Sequence, residues 1–428
     1  DLSDWWTRWV PVNRNADGGS QCASSHPVEV RIRAPGCQLM EPAISSPFTP
    51  SLAFCGYSGS GKTELLLHCL KLLKARGFSP AVLKSSSEVH IAIASKDSQR
   101  FFDEGAVGVG FVDPAQVLLH LPGRDFFQRS VDSEVQLRRQ VSFDILLREG
   151  GKQSSGWKVV CLHPSQGIPV LDNSSVLAFW AGVPGSKKPA MADQLTIPCF
   201  GPGEEIKLLD HCLEKLRTMR RQQTLKAAVL VGGQSSRMGH PKAWMQIRGH
   251  PMGLKLAHLL EELLGVGRVV FGGSLPPVPE DWSFSNHREL ERYAVIPDRV
   301  QGFGPWGGLL GLWESEPNTT WLVVGCDYPR LHLEALEWLL SKRDPLRLAT
   351  LARHQIGPLE TMIGIYEPGF RYLLEAAWLD GGKQINRRMQ QWPLQILNVP
   401  KHLEVCWQGI NTPADLEQLL QQTAVQQQ

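Results

Sequence analysis

At 428 residues the chain is too long for one ordinary domain and suits two domains plus a tail. An apolar fraction of 42% and a charged fraction of 20% are those of a soluble globular protein. A formal net charge of +2 demands no nucleic-acid partner, and the basic pairs Arg138-Arg139 and Arg220-Arg221 read as solvated helix faces. No apolar run reaches the roughly 18 residues that span a bilayer, so no membrane is expected, and no signal peptide is recognisable. The nine cysteines show no CxxC or CxxH spacing. Cys55, Cys69 and Cys161 sit inside apolar stretches, which predicts buried reduced thiols and a cytoplasmic setting.

Residues 1–50 carry Trp5, Trp6 and Trp9, then a Gly/Ser/Asn/Pro-rich stretch, with no helical or strand period. They are expected to be an unassigned, loose tail. From Ser51 an α/β pattern begins. Ser51–Cys55 is an apolar strand, and Lys62–Arg76 a leucine-striped helix stopped by Gly77. Strands are predicted at Ala81–Lys84, Val107–Val112, Phe143–Leu147, Val159–Leu162 and Ser175–Trp180, with a closing helix over Glu205–Leu216. Such alternation implies a mainly parallel sheet covered on both faces. The basic stretch Arg217–Gln223 reads as a linker. A second α/β series follows: strand Lys226–Val231, helix Leu254–Leu264, strands Arg268–Gly272 and Tyr293–Ile296, helix Leu309–Glu314 and strand Trp321–Gly325. Further strands lie near Leu348–Leu351 and Met362–Tyr366. Thr412 is a helix N-cap with Pro413 at N1 and Asp415 at N3, and the glutamine-rich end is expected to be disordered. The predicted domains are therefore 51–218 and 224–428.

Gly56-Tyr57-Ser58-Gly59-Ser60-Gly61-Lys62-Thr63 fits G-x-x-x-x-G-K-[ST] at every position. The glycines let backbone N–H groups curl around phosphates, and the following helix points its positive end at them. Lys62 neutralises the outer phosphate oxygens, and the Thr63 hydroxyl can hold Mg²⁺. Farther on, Asp144 and Glu149 flank a buried strand. Glu149 either faces the metal from the strand end or points to solvent, and neither carboxylate is fixed as the partner of the loop. No Asn-Lys-x-Asp element that would read guanine is present.

Residues 51–218 resemble the molybdopterin-guanine dinucleotide biosynthesis adaptor proteins, a GTP-binding family. The resemblance rests on the phosphate loop, on Ser95-Lys96-Asp97-Ser98-Gln99-Arg100 with Gly105-Ala106, and on Asp144 to Glu149-Gly150. The family's histidine-rich turn is reduced here to Lys84-Ser85-Ser86-Ser87-Glu88-Val89-His90, with one histidine.

A second phosphate loop opens the second domain. Leu230-Val231-Gly232-Gly233 follows a strand, and Arg237 and Lys242 supply cations. Pro297-Asp298 ends a strand, Gly304-Pro305-Trp306-Gly307-Gly308-Leu309 opens a helix, and Gly325-Cys326-Asp327-Tyr328-Pro329 ends an apolar strand with a carboxylate placed as a Mg²⁺ ligand. With Met238-Gly239 and Ile410-Asn411-Thr412-Pro413-Ala414-Asp415-Leu416, this half resembles the molybdenum cofactor guanylyltransferases. The resemblance implies backbone contacts to GTP from Leu230, Val231 and Gly232, and phosphate binding by Lys242. It further implies a nucleoside contact from Asp298 and Mg²⁺ at Asp327. A family asparagine is replaced near Phe271-Gly272-Gly273-Ser274.

The two resemblances belong to one pathway. Together they imply a P-loop NTPase-like sheet followed by a Rossmann-like nucleotidyltransferase sheet. The implied reaction transfers GMP from GTP to molybdenum-bearing molybdopterin, using Arg237, Lys242 and Asp327, and gives the guanine dinucleotide cofactor and pyrophosphate. The implied partners are GTP, molybdopterin and molybdoenzymes or their chaperones, with a homodimer compatible. The rival readings are a cytidylyltransferase on the same pterin, a sugar-phosphate nucleotidyltransferase, and a non-catalytic carrier of the cofactor.

Overall fold

The computed structural model describes residues 49–419 apart from 86–95, 113–116, 122–123, 129–132, 151, 153–155, 170–174, 190–195, 232–240, 248, 280–281, 355–356, 383–384, 413 and 418. The tail residues before Thr49, and Gly232, Gly233 and Arg237, lie outside the described residues.

The first domain runs β1 (Ser51–Gly56), α1 (Lys62–Ala75), β2 (Pro80–Ser85), α2 (Lys96–Asp103), β3 (Val109–Val112), β4 (Val117–Leu121), β5 (Arg124–Gln128), α3 (Ser133–Gln140) and β6 (Ile145–Glu149). It continues through β7 (Trp157–Cys161), β8 (Val176–Trp180), β9 (Cys199–Phe200) and α4 (Glu205–Arg221). Its sheet has the order β5-β4-β3-β2-β6-β1-β7-β8-β9. β1, β2, β3, β6, β7, β8 and β9 are mutually parallel, and the β4–β5 hairpin continues the sheet antiparallel. That hairpin is not among the strands expected from the sequence, although Pro122-Gly123 marks its turn. The central strand β1 is buried at every residue, as an apolar strand covered on both faces must be. The leucine stripe of α1 packs on one face, with Leu66, Leu70 and Leu73 fully buried beside Leu208, Leu209 and Leu213 of α4.

The second domain runs β10 (Leu225–Leu230), β11 (Gln246–Ile247), β12 (His250–Pro251), α5 (Met252–Leu264), β13 (Val269–Gly272), α6 (Phe284–Leu290), β14 (Ala294–Ile296), α7 (Pro305–Ser315) and β15 (Thr320–Gly325). It ends with α8 (Leu333–Ser341), β16 (Ala349–Arg353), β17 (Leu359–Tyr366), α9 (Arg371–Leu379), α10 (Ile385–Met389) and β18 (Gln395–Asn398). Its main sheet has the order β14-β13-β10-β15-β17-β16-β18. β17 alone runs against its neighbours, so its first residues lie at the carboxyl edge of β15. Helix α7 lies close on the sheet because it is glycine-rich. A Cβ on Gly311 would strike the Pro297 carbonyl, and one on Gly307 the Val300 carbonyl.

The stretch read as a linker is helical through Arg221. Arg217 reaches across to Asp344 in the second domain, donating from Nε and Nη2 at 3.0 and 3.1 Å. Arg220 is buried, not solvated. Arg138 departs from expectation in the same way: it is 1% exposed, donates to Thr49 Oγ1 and the Phe143 carbonyl, and stacks on the Phe143 ring. One arginine of each pair, Arg138 and Arg220, thus belongs to a packed surface where it finds oxygen acceptors, while Arg221 is exposed as expected.

The domains meet along the amino-terminal edges of their sheets. Arg347, just before β16, donates to Asp144 Oδ2 at 2.7 Å and to the carbonyls of Gly77 and Arg76, with its guanidinium over the Phe78 ring. Leu346 is fully buried in the core of the first domain, and α3 packs on α9. Both carboxyl edges, which carry Gly56–Thr63 on one sheet and Leu230, Val231 and Asp327 on the other, are on the sides away from this contact. With strands of five or six residues on each side, roughly 30–40 Å of structure separates the two sites. Among the described residues no helix is long and apolar enough to cross a membrane.

Candidate active sites

The first site sits where β1 hands over to α1. Gly56 has φ 155° and packs so close that a Cβ would strike the Cys161 carbonyl and the Ser60 hydroxyl. Gly61 takes φ 78° as the N-cap of α1, a left-handed conformation that glycine adopts without penalty. Ser60 Oγ and Lys62 Nζ both donate to the Tyr57 carbonyl, at 2.8 and 2.5 Å. The loop is therefore closed on itself, with the lysine folded over it. Burial lowers the Lys62 ammonium below its ordinary value.

Of the two carboxylates left open by the sequence, Glu149 is the one beside the loop. Thr63 Oγ1 donates to Glu149 Oε1 at 2.7 Å from the carboxyl end of the neighbouring strand β6. Lys84 Nζ stands 3.4 Å from Glu149 Oε2, an ion pair in which that oxygen takes no hydrogen bond. A hydroxyl beside a buried, incompletely satisfied carboxylate fits a hard divalent ion held with phosphate oxygens. Asp144 is at the opposite edge of the sheet, fully buried, taking the Ser79 N–H at 2.9 Å and the Arg347 pair. It is an interdomain residue. Burial pushes Cys55 up to about 11, so this thiol beside the loop stays protonated near neutrality.

The second site gathers at the carboxyl edge between β10 and β15, where the connections leave the sheet in opposite directions. Leu230 and Val231 are buried at the end of β10. Lys242, in the short turn Lys242–Trp244, donates to Asp327 Oδ2 at 3.3 Å and Asn411 Oδ1 at 3.0 Å. Three segments far apart in sequence thus converge on one ammonium group. The capping geometry expected at Thr412 holds the third segment. Asp415 Oδ2 accepts the N–H groups of Asn411 and Thr412 at 2.8 Å, and the Thr412 hydroxyl accepts the Asp415 N–H. The Ile410 N–H donates to the Asp327 carbonyl at 2.8 Å, locking this segment to the β15 turn. Burial pushes the adjacent Cys326 thiol up to about 12.

Asp298 lies beyond β14, on the far side of β10 from Asp327. Its Oδ2 accepts the N–H and hydroxyl of Ser274, at 3.3 and 3.0 Å. Ser274 belongs to the segment where the expected asparagine is missing, and here it orients the aspartate. On the other side of Asp327, Tyr328 donates its hydroxyl to Glu360 Oε2 at 2.9 Å. Burial raises the Glu360 carboxyl above its ordinary value. Asn411 stood in a motif without an assigned role, and Ser274 and Glu360 carry no spacing signal. They reach the site only through the sheet topology.

The family model described as "MobA-like NTP transferase domain" matches residues 227–395, and that described as "Molybdopterin guanine dinucleotide synthesis protein B" matches residues 51–181. A "Probable molybdenum cofactor guanylyltransferase" of Trichormus variabilis is 30% identical over 198 residues, covering 45% of this chain and 88% of that protein. One from Carboxydothermus hydrogenoformans is 29% identical over 205 residues, covering 46% and 96%. A "Molybdenum cofactor biosynthesis bifunctional protein" of Synechocystis is 28% identical over 199 residues, covering 46% of this chain and 54% of that protein. The match therefore spans about half the length of that bifunctional relative. Among solved structures, molybdopterin-guanine dinucleotide biosynthesis protein A of Archaeoglobus fulgidus is 22% identical, covering 45% of this chain and 95% of its own, with a TM-score of 0.36. A MobB homologue of Bacillus stearothermophilus is 21% identical, covering 39% and 98%, with a TM-score of 0.24.

Proposed function

Because the chain belongs to the molybdenum cofactor guanylyltransferases, with a MobB domain ahead of its transferase domain, we propose that it transfers GMP from GTP to molybdopterin. The observation that carries this reading is the convergence of Lys242, Asp327 and Asn411 at the switch point of the second sheet.

A terminal phosphate oxygen of the pterin attacks the α-phosphorus of GTP. The bond from that phosphorus to the bridging oxygen breaks, and pyrophosphate leaves with the electron pair. No protein nucleophile is required. Lys242, prepositioned by two oxygen acceptors, neutralises charge on the leaving phosphates without reorganising at the moment of reaction. Arg237 shares that task by its place in the loop motif. Ser274 holds Asp298 toward the nucleoside. Asp327, partly exposed and paired to a lysine, suits a Mg²⁺ ion that keeps most of its ligands from phosphate and water. Bound there, the ion would supply Lewis-acid charge stabilisation to the triphosphate.

On this reading the first domain binds GTP through Gly56–Thr63, and Thr63 and Glu149 would hold a Mg²⁺ ion that supplies charge stabilisation to the phosphates. It assists the transfer without performing its chemistry, and molybdoenzymes or their chaperones are the expected recipients of the product. The test is incubation of the full chain with Mg²⁺, molybdopterin and either GTP or CTP. Pyrophosphate and a guanine dinucleotide from GTP alone are expected. Turnover with CTP in preference to GTP, or with neither, would overturn the reading.

A further inference from the structure

The transferase site has two halves, divided by β10 and β15. Ser274 and Asp298 occupy the β13–β14 side, where the nucleoside is placed under the proposed function. The β17–β16 side is left for the acceptor. β17 runs antiparallel to β15, so Leu359, Glu360 and Thr361 arrive beside the turn that carries Asp327 and Tyr328.

Tyr328 is 5% exposed, and its ring lies beneath this turn. A Cβ on Gly325 would stand 3.3 Å from one edge of the ring, and one on Gly409 3.5 Å from the other. The ring is therefore confined, and its hydroxyl can reach only in one direction. It donates to Glu360 Oε2 at 2.9 Å. A half-buried carboxylate held this way costs desolvation, yet Oε1 takes no hydrogen bond from a described residue, and Oε2 keeps a second lone pair.

We infer that Glu360, held by Tyr328, reads the pterin ring of the acceptor. This rests on the transfer reaction proposed above. The chemistry is specific. A pterin carries a 2-amino-4-oxo pyrimidine edge, with a ring N–H and an exocyclic NH₂ side by side. Two adjacent donors match the two oxygens of one carboxylate, in the same geometry that pairs a guanidinium with a carboxylate. Guanine presents the same edge, but the nucleoside half lies across β10 and β15 from Glu360. A site built to accept two N–H donors rejects a ring that lacks one of them, because the carboxylate is then left unpaired.

Steady-state transfer by the full-length protein tests this with Glu360→Gln, which keeps size and shape but presents an amide NH₂ to the donor edge. The KM for molybdopterin is expected to rise roughly 10–100-fold, with kcat and the KM for GTP within about twofold of wild type. As a binding readout, 6-hydroxymethylpterin phosphate should inhibit the wild type more strongly than its 2-oxo (lumazine) counterpart, and Glu360→Gln should abolish that preference. Tyr328→Phe, which frees the carboxylate without removing it, should give a smaller rise in the same KM, and it reports should Glu360→Gln fail to fold. An unchanged KM for molybdopterin overturns the inference. A rise confined to the KM for GTP also overturns it and assigns Glu360 to guanine. Absence of dinucleotide synthesis by the wild type would instead sink the transfer reaction itself.

Discussion

Arg347 and Asp144 are 203 residues apart and meet at 2.7 Å, joining the amino-terminal edge of the transferase sheet to that of the P-loop sheet. The Asp144 carboxylate is fully buried and the Arg347 side chain is 14% exposed. Removing one partner from such a pair leaves the other charge uncompensated. Arg347→Ala should therefore destabilise the protein by about 3–5 kcal/mol. Adding Asp144→Asn should recover part of that loss, since a neutral amide no longer needs the guanidinium. Chemical denaturation of the two single variants and the double variant measures the coupling. A cost within about 0.5 kcal/mol for Arg347→Ala would place it with surface substitutions and sink this account of the interface.

The same carboxylate gives a pH signature. Burial pushes Asp144 up to about 6, against the opposing pull of Arg347 and the Ser79 N–H. A raised carboxyl means that the native chain holds more protons than the unfolded chain between the ordinary value, 3.8, and about 6. Stability from this group is then greatest below that window and declines as pH rises through it. The difference in unfolding free energy between wild type and Asp144→Asn should shift against the wild type by on the order of 1–3 kcal/mol from pH 4 to pH 7. A difference flat across that range would mean that Asp144 titrates like an exposed carboxyl.

Thr63 and Glu149 couple the phosphate loop to the strand beside it. Glu149→Gln keeps the shape and removes the charge that a metal at Thr63 would need. Mg²⁺-dependent GTP binding by the first domain should weaken by roughly 10–100-fold. Dinucleotide synthesis at saturating substrate should stay within about twofold, because the second site lies on the far side of the domain contact. A parallel loss of synthesis in folded protein would show that the two sites act as one.

These tests concern features of unequal legibility. The phosphate loop, its helix and most strands could be read from the sequence, because glycine spacing and apolar periods are local signals. Glu149 could be named but not placed, since its partner Thr63 is 86 residues away. Asp144 and Glu149 flank one strand and so project at opposite edges of the sheet. Sequence alone does not say which edge matters until α1 is docked. Arg138 and Arg220 misled for a related reason: a charged pair on a helix reads as solvated unless its acceptors are known. The β4–β5 hairpin was legible too: Pro122-Gly123 between two apolar runs is a local turn signal that the expected strands passed over. Ser274, Glu360 and the role of Asn411 depend on the crossing of β17 and on the closing segment, which only the assembled sheet reveals.

Lys242 offers the sharpest separation of roles in the transferase site. Its ammonium is held by Asp327 Oδ2 and Asn411 Oδ1, so it is aimed before substrate arrives. Lys242→Ala removes the charge itself, and the loss should approach that of a principal transition-state stabiliser, roughly 100–1,000-fold in kcat. Asn411→Ala removes one of the groups that aim the lysine. The charge survives with one fewer anchor, and a loss of roughly tenfold is expected, the worth of one net hydrogen bond. The double variant should be no worse than Lys242→Ala, since an anchor without its lysine has nothing left to position. GTP binding by the first domain serves as the folding control, because it depends on the other sheet. The measurement is pyrophosphate release under saturating GTP and molybdopterin for the three variants. Additive losses in the double variant would show that Asn411 acts independently of Lys242, and near-normal turnover in Lys242→Ala would remove the lysine from the reaction.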